Sequence, residues 1–375
     1  MENENRRAGA FGRLRGKAAA WQASYQARTG REKRRWWGGF LLRNAIYILL
    51  AELVLYVQFY SMFAMGGSAT FLSFESIVDI LKKSAAAVFL ALGVGGIIVL
   101  TGTDLSAGRI QGLAMLLAAS LLQKPVTEYA SRMWPDMEPW PILLVLLTVV
   151  ALGGLIGAFN GFCVAKFRLH PFIVTLATQL MLYGLILIYM SMGNNGGAPI
   201  AGLTEAYKDA VKGTVRIFGA AIPYYVFYAI AAVILMWFVW NHTALGKNMY
   251  AVGANPEAAN VSGVNVSATI ILVFLMAGLL YGVSGFMEAA RIGSNNANAG
   301  QNAELDAIAA CVIGGVSFTG GVGRISGIVL GVILLQTITV ALQWLGVSQN
   351  LQYIIKGAII LAAVAIDVNK NAVRS

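Results

Sequence analysis

Residues Leu245–Val266 read LGKNMYAVGANPEAANVSGVNV, a long polar interruption between two strongly apolar runs. The stretch carries its own helix signals. Asn255-Pro256 marks a start, because asparagine caps a helix and proline is tolerated at the first helical position. Glu257-Ala258-Ala259 continues with good helix formers, and Gly263 closes the segment as glycine does past a helix C-terminus. The flanking runs, 217–240 and 266–287, each reach the roughly 20 residues that a hydrocarbon core demands. A short helix with an alanine face, held between two such runs, has the form of a grip for a partner protein.

Composition sets the class. Hydrophobic residues make up 58% of the 375 and charged residues 12%, too apolar for a soluble domain of this length. The 42 glycines suit membrane helices whose backbones approach closely. The formal charge of +10 does not point to nucleic acid, because eleven of the 27 basic residues crowd into the first 43 positions. Arg34-Arg35-Trp36-Trp37 ends that basic head in the manner of a membrane–water boundary facing anionic lipid. The two cysteines lie in apolar runs and imply neither a disulfide framework nor a metal site. No cleavable signal peptide is expected.

Further apolar runs lie at 40–63, 85–101, 106–123, 141–163, 172–192, 304–318, 326–345 and 351–367, the run at 304–318 being the shortest. The sequence thus predicts an all-α, polytopic integral membrane protein of about ten transmembrane helices. Its parts are a basic cytoplasmic head (1–38), a transmembrane domain (39–368) with a cytoplasmic loop at 241–265, and a cytoplasmic tail (369–375). With the head inside, cytoplasmic segments hold 18 of the 27 basic residues, which orients the chain N-in and C-in. A candidate parallel internal repeat pairs Thr101-Gly102 and Gly108-Arg109-Ile110 with Thr319-Gly320 and Gly323-Arg324-Ile325.

The chain lacks a motor of its own. It has no GxxxxGK[ST] phosphate loop and no zinc pattern around its two histidines. Glu52 is the single ionisable group central to a predicted span, and it is expected to face another helix or water rather than to couple an ion. A secondary sugar carrier, ion-coupled or passive, is the rival reading. A membrane enzyme would need a catalytic cluster, and none is found.

Glu257-Ala258-Ala259-Asn260-Val261-Ser262-Gly263 resembles the cytoplasmic coupling loop of ABC importer permeases. Gly102-Thr103-Asp104-Leu105-Ser106-Ala107-Gly108-Arg109 looks like the GTDLSxG signature of monosaccharide ABC permeases. The segment from His170-Pro171-Phe172-Ile173 to Thr178 is similar to their HPFIxTL region, and Glu304-Leu305-Asp306-Ala307 through Gly314-Gly315 and Gly320-Gly321 to their ELDAIAAxVIGG…GG region. These motifs cover roughly 40–369, with the galactose/methyl-galactoside group nearest and the ribose and xylose groups next. The long arginine-rich head departs from the group. The resemblance implies a permease subunit of the bacterial inner membrane that forms a homodimer. It implies a partner ATPase with tandem nucleotide-binding domains, which binds ATP and Mg, and an extracytoplasmic sugar-binding protein. No cofactor is expected in this chain.

The candidate residues follow. Asn255, Pro256, Glu257, Ala258, Ala259 and Gly263 would engage the ATPase. Gly102, Thr103, Asp104, Ser106, Gly108 and Arg109 form the signature turn, read as cytoplasmic, where Asp104 and Arg109 either pair or cap the following span. Gln111, Thr175, Gln179, Asn295, Asn296 and Asn298 either line a hydroxyl-bearing path or hydrogen-bond between helices. Glu304 and Asp306, facing Lys356, are a candidate outer gate. Glu288 and Arg291 are spaced as an i,i+3 ion pair.

Overall fold

The computed structural model describes residues 29, 48, 50–63, 70–125, 127–128, 132–217 and 219–372. Apart from Thr29, the basic head 1–38 lies outside them, as do residues 373–375 of the tail. The chain divides into units 1–52 and 53–375, and the first holds few described residues.

Thirteen described helices follow one another: α1 Leu50–Phe63, α2 Phe74–Val99, α3 Ala107–Leu121, α4 Ile142–Phe167, α5 Pro171–Ser191, α6 Glu205–Lys212, α7 Tyr224–His242, α8 Ala244–Ala254, α9 Pro256–Val261, α10 Val266–Ile292, α11 Ala303–Ile313, α12 Ile325–Trp344 and α13 Gln349–Ala372. Five of them, α4, α5, α7, α10 and α12, are long and apolar enough to cross a membrane. An all-α chain was expected, yet Thr214–Ile217 (β1) and Ala220–Pro223 (β2) pair as an antiparallel hairpin. The span expected from 217 therefore begins at Tyr224. The span expected from 85 begins at Phe74 instead, because Ser73 caps it by accepting from Ser76 N at 3.2 Å.

Local chemistry sets the other boundaries. His170 Nδ1 accepts from Phe172 N ahead of Pro171 and starts α5. Asn265 caps α10 by accepting from Ala268 N at 2.9 Å. Gly293, at φ +80°, ends that helix in the left-handed region that costs glycine least.

Helix α10 is the axis of the bundle. Its 27 residues reach about 40 Å at 1.5 Å per residue. Along α4, Gly153, Gly157 and Gly161 recur every fourth residue and present one smooth face. Gly278 of α10 lies directly on Gly153 and Gly157, and Gly282 lies on Val149 and Val150. A methyl group at any of these positions would strike opposing backbone. On other faces of α10, Tyr281 packs on Gly93 of α2, and Gly285 on Gln111 and Ala114 of α3.

Helix α3 begins in the middle of this bundle. At Leu100 the chain leaves α2, turns through Thr101 at φ +63°, and returns as the non-helical segment Gly102–Ser106. Tyr281, the sixteenth residue of α10, lies against Asp104 and places that segment level with the helix's middle. Neither Tyr281 Oη nor Asp104 Oδ2 completes a hydrogen bond of good geometry.

The rest of the segment is tied by its neighbours. Leu105 N donates to Thr175 Oγ1 at 3.1 Å, and Thr175 Oγ1 donates to Thr103 O at 3.2 Å. Ser106 donates to Asp104 Oδ1 through both its N–H (2.9 Å) and its hydroxyl (2.6 Å). Asn160 of α4 donates to Ser106 Oγ at 3.0 Å and accepts from Thr178 of α5 at 2.6 Å.

Residues 293–302 make a second return. Gly300, at φ +70°, packs on Gly108 and Gly112 at the start of α3, and α11 then leaves from Ala303. Sequence alone placed these two connections on opposite membrane faces; here they touch. The eighth expected span, 304–318, is the eleven-residue α11, about 16 Å long against a core of about 30 Å.

Two measurements test this packing. Gly157→Val is expected to destabilise the purified protein by about 1–3 kcal/mol through overpacking. Gly184→Val, which has open space around it, is expected to melt like wild type in the same size-exclusion thermal assay. Asn160→Ala leaves the Ser106 and Thr178 hydroxyls short of a partner in a dry interior and is expected to cost about 1–3 kcal/mol. Thr148→Val removes an exposed bond to Leu144 O and is expected to stay within about 0.5 kcal/mol.

Candidate functional site

A cavity of about 580 Å³ opens between α2, α3, α11, α12, the end of α10 and residues 294–301. That volume lies within the range of small-molecule sites, about 300–1,000 Å³. Its floor is apolar, formed by Leu90, Ala91, Ala307, Ala310, Val332 and Leu335. Its walls carry amides from Gln111, Asn295, Asn296, Asn298, Gln301, Gln336 and Gln343.

Each cation of the wall has a carboxylate. Lys83 meets Asp79 at 3.1 Å and also donates to Gln343 Oε1 at 2.7 Å. Arg291 grips Glu288 in a fork, with Nε at 2.9 and 3.0 Å from the two oxygens and Nη2 at 2.7 Å. Lys356 reaches Asp306 at 2.8 Å and ties α13 to α11. The wall is therefore rich in donors and acceptors but locally neutral. It suits an uncharged ligand bearing several hydroxyls, with apolar ring faces laid on the floor.

The cavity gathers some of the sequence candidates and leaves others out. Gln111, Asn295, Asn296 and Asn298 line it. Gln111 Nε2 donates to Ser284 Oγ at 2.8 Å, and Asn295 is held by paired backbone bonds with Ile200 at 2.7 and 2.9 Å. Thr175 and Gln179 do not line it; Thr175 is fully buried against the Gly102–Ser106 segment. Thr175 serves the backbone of the neighbouring segment, the hydrogen-bonding alternative rather than the path.

The proposed gate also splits. Asp306 and Lys356 pair, whereas Glu304 turns toward Gly108, with its Oε2 buried and unbonded. Arg109 does not pair with Asp104. Its guanidinium lies 4.4 Å over the Tyr183 ring and donates to Ala297 O at 3.2 Å, binding α3 to the second return.

The residues read as ATPase contacts form α9. Asn255 Oδ1 accepts from Ala258 N at 2.9 Å, and Pro256 follows as the first helical residue. Gly263 N bonds Asn260 O and Val264 N bonds Ala259 O, both at 3.0 Å, with Gly263 at φ +85°. That pair of bonds is the Schellman arrangement. The helix does not stand alone, since α8 directly precedes it. Asn255, Pro256, Glu257, Ala258 and Gly263 are exposed, but Ala259 is 5% exposed and packs inward. Val261, 89% exposed, takes its place on the outer face.

Asn160, Ser284, Lys83 and Gln343 were not singled out from sequence. Asn160 had a visible signal, the lone amide in the apolar run 142–165. Lys83 stands at i,i+4 spacing from Asp79, a readable pair, but its bond to Gln343 crosses 260 residues and left no signal.

Comparison with known proteins agrees with this architecture. A family model described as the permease component of the branched-chain amino acid transport system matches residues 76–364. The galactose/methyl galactoside import permease protein MglC of Escherichia coli K12 is 44% identical over 89% of this chain and 96% of its own. The Haemophilus influenzae protein of that name is 43% identical over 88% and 96%. The E. coli K12 ribose import permease RbsC is 35% identical over 81% and 88%. No solved structure matches. With a bundle of apolar helices around a neutral amide-walled cavity, and with this match over most of its length, the chain belongs to the family of branched-chain amino acid transport system permease components.

Proposed function

We propose that this chain is the membrane permease of an ATP-driven importer for a monosaccharide, of the galactose/methyl galactoside type. The observation that carries the reading is the 44% identity to a galactose permease across 96% of that protein's length. The amide-walled, charge-balanced cavity supports it, since a hexose offers many hydroxyls and no net charge. In this reading the chain is no enzyme. A separate ATPase with tandem nucleotide-binding domains holds ATP and Mg, and an extracytoplasmic binding protein delivers the sugar.

The protein would lie in a bacterial inner membrane as a homodimer, with about ten crossings, both termini inside and a parallel repeat. The basic residues of the head and of the 164–171 and 241–265 connections favour that orientation. The two returns, meeting at Gly108 and Gly300, favour a discontinuous-helix permease whose site lies within the membrane. Helix α9 would be the ATPase contact, offering Ala258 and Val261 as its small and apolar exposed groups.

Two experiments decide this. In proteoliposomes containing the chain, its ATPase and its binding protein, galactose is expected to stimulate ATP hydrolysis more than a panel of other monosaccharides does. Galactose transport by the chain alone, without ATP, would show a carrier instead. Ala258→Trp is expected to keep the wild-type melting temperature and to abolish the coupling of hydrolysis to uptake. Ala259→Trp, whose parent side chain is buried, is expected to lower the melting temperature. Normal uptake by the Ala258 variant sinks the coupling assignment.

A further inference from the structure

A second cavity, of about 390 Å³, adjoins the first. Asp306, Lys356, Gln301 and Gln343 belong to the walls of both, so the Asp306–Lys356 ion pair stands in the common wall. The far wall comes from the first two turns of α13, which bring Gln349, Gln352 and Tyr353 to one side.

The chemistry of this lining is specific. Nine of its ten residues carry polar or charged side chains, Ala303 being the exception, which argues against a lipid tail. Its single cation and single anion are bonded to each other at 2.8 Å, which argues against an ion as ligand. What remains are amides and hydroxyls, three of them held by bonds at the start of α13. Gln349 Nε2 donates to Tyr353 Oη at 3.2 Å, and Gln352 Nε2 to Val347 O at 2.8 Å. Side chains fixed in this way present donors and acceptors at low entropic cost to a ligand that has both. The first cavity has an apolar floor; this one has none, so it would hold a solute loosely and by hydroxyls alone.

We propose that the second cavity is an additional subsite for an uncharged, polyhydroxylated solute, lying next to the first across the Asp306–Lys356 pair. The proposal rests on the sugar-permease reading and adds to it a second site for the same class of solute. Asp306 retains 38% exposure of its side chain, so water can solvate it when Lys356 swings away. The two cavities then communicate by rotation of one lysine side chain.

The test uses the full chain with Cys163 and Cys311 replaced by alanine, in cells that carry the ATPase and binding protein. Tyr353→Cys, at a position 49% exposed, is treated with a bulky membrane-impermeant maleimide. Labelling is expected to cut galactose uptake at least tenfold, and millimolar galactose is expected to slow the labelling at least threefold. Val215→Cys on the hairpin, 42% exposed, is expected to label without either effect. Uptake by a labelled Tyr353 variant equal to that of the unlabelled one, or labelling indifferent to galactose, overturns the subsite. Wild-type uptake keeps the two failures apart. Wild-type import beside an unaffected labelled variant leaves the permease reading standing, whereas absence of import by wild type overturns that reading and the subsite with it. Lys356→Ala is expected to speed labelling of Gln336→Cys, which lines the first cavity only; an unchanged rate overturns the common-wall role of the pair.

Discussion

Inside a bilayer every backbone polar group needs a partner within the protein, and this structure breaks its helices where it can meet that need. Gly102–Ser106 is non-helical chain at the level of the middle of α10. It is tolerated because Asp104, Ser106, Asn160 and Thr178 form one continuous chain of hydrogen bonds beside it, while Thr175 separately bonds Leu105 N and Thr103 O. Asn160 belongs to α4 and Thr175 and Thr178 to α5, so the bonds also fix how those two helices stand against the break. Without them, the start of α3 would present its free N–H groups to hydrocarbon, and a break at that depth would not persist.

The break in turn places the cavity. Because α3 starts midway, Gln111 sits in its second turn at the depth of Ser284 instead of near a membrane face. Because residues 293–302 also return inward, they bring Asn295, Asn296 and Asn298 to the same space. Gly108, Gly112 and Gly300 let the two returns touch backbone to backbone, and Arg109 locks them by reaching Ala297 O while stacked on Tyr183. A cation so placed is no longer a topological marker. It is a structural clamp inside the fold.

Periodicity and composition made much of this legible. The apolar runs that became α4, α5, α7, α10 and α12 were plain, as was the cap at Asn255. The Glu288–Arg291 fork followed from i,i+3 spacing alone. Two kinds of error came from the same source, the assumption that a polar connection lies at a membrane face. The signature turn and the 294–304 connection were placed on opposite faces, and Arg109 was read only against Asp104, as its pair or as a second cap, and not against Tyr183 and Ala297. Hydropathy measures how apolar a window is, and a glycine-rich return buried in protein looks like a turn at the surface. The side to which a polar residue points was likewise beyond reach. Thr175 and Gln111 are equally polar and equally helical, yet one serves the backbone of a neighbouring segment and the other faces the cavity. The hairpin at 214–223 was hidden because four-residue strands leave too short an alternation to read against a following apolar run.

The same close packing gives a mechanical account of how α9 would transmit movement. Helix α9 follows α8 through the single cap residue Asn255, so the two cannot swing apart freely. Gly253, near the end of α8, lies on Val99 at the end of α2 and on Gly321, whose N–H donates to Val99 O at 2.9 Å. Gly320 beside it packs on Thr101 and again on Gly253. Three elements therefore meet backbone to backbone around Gly253, Val99 and Gly321. One of them, α2, carries Lys83, Leu90 and Ala91 in the cavity wall, and the loop bearing Gly320 joins α11 to α12, which carry Asp306, Ala310 and Val332. A push on Ala258 and Val261 thus acts on both sides of the cavity through backbone contacts. Packed interiors yield by discrete shifts rather than by compression, so a small movement of α9 would be converted into a relative displacement of the helices that wall the cavity.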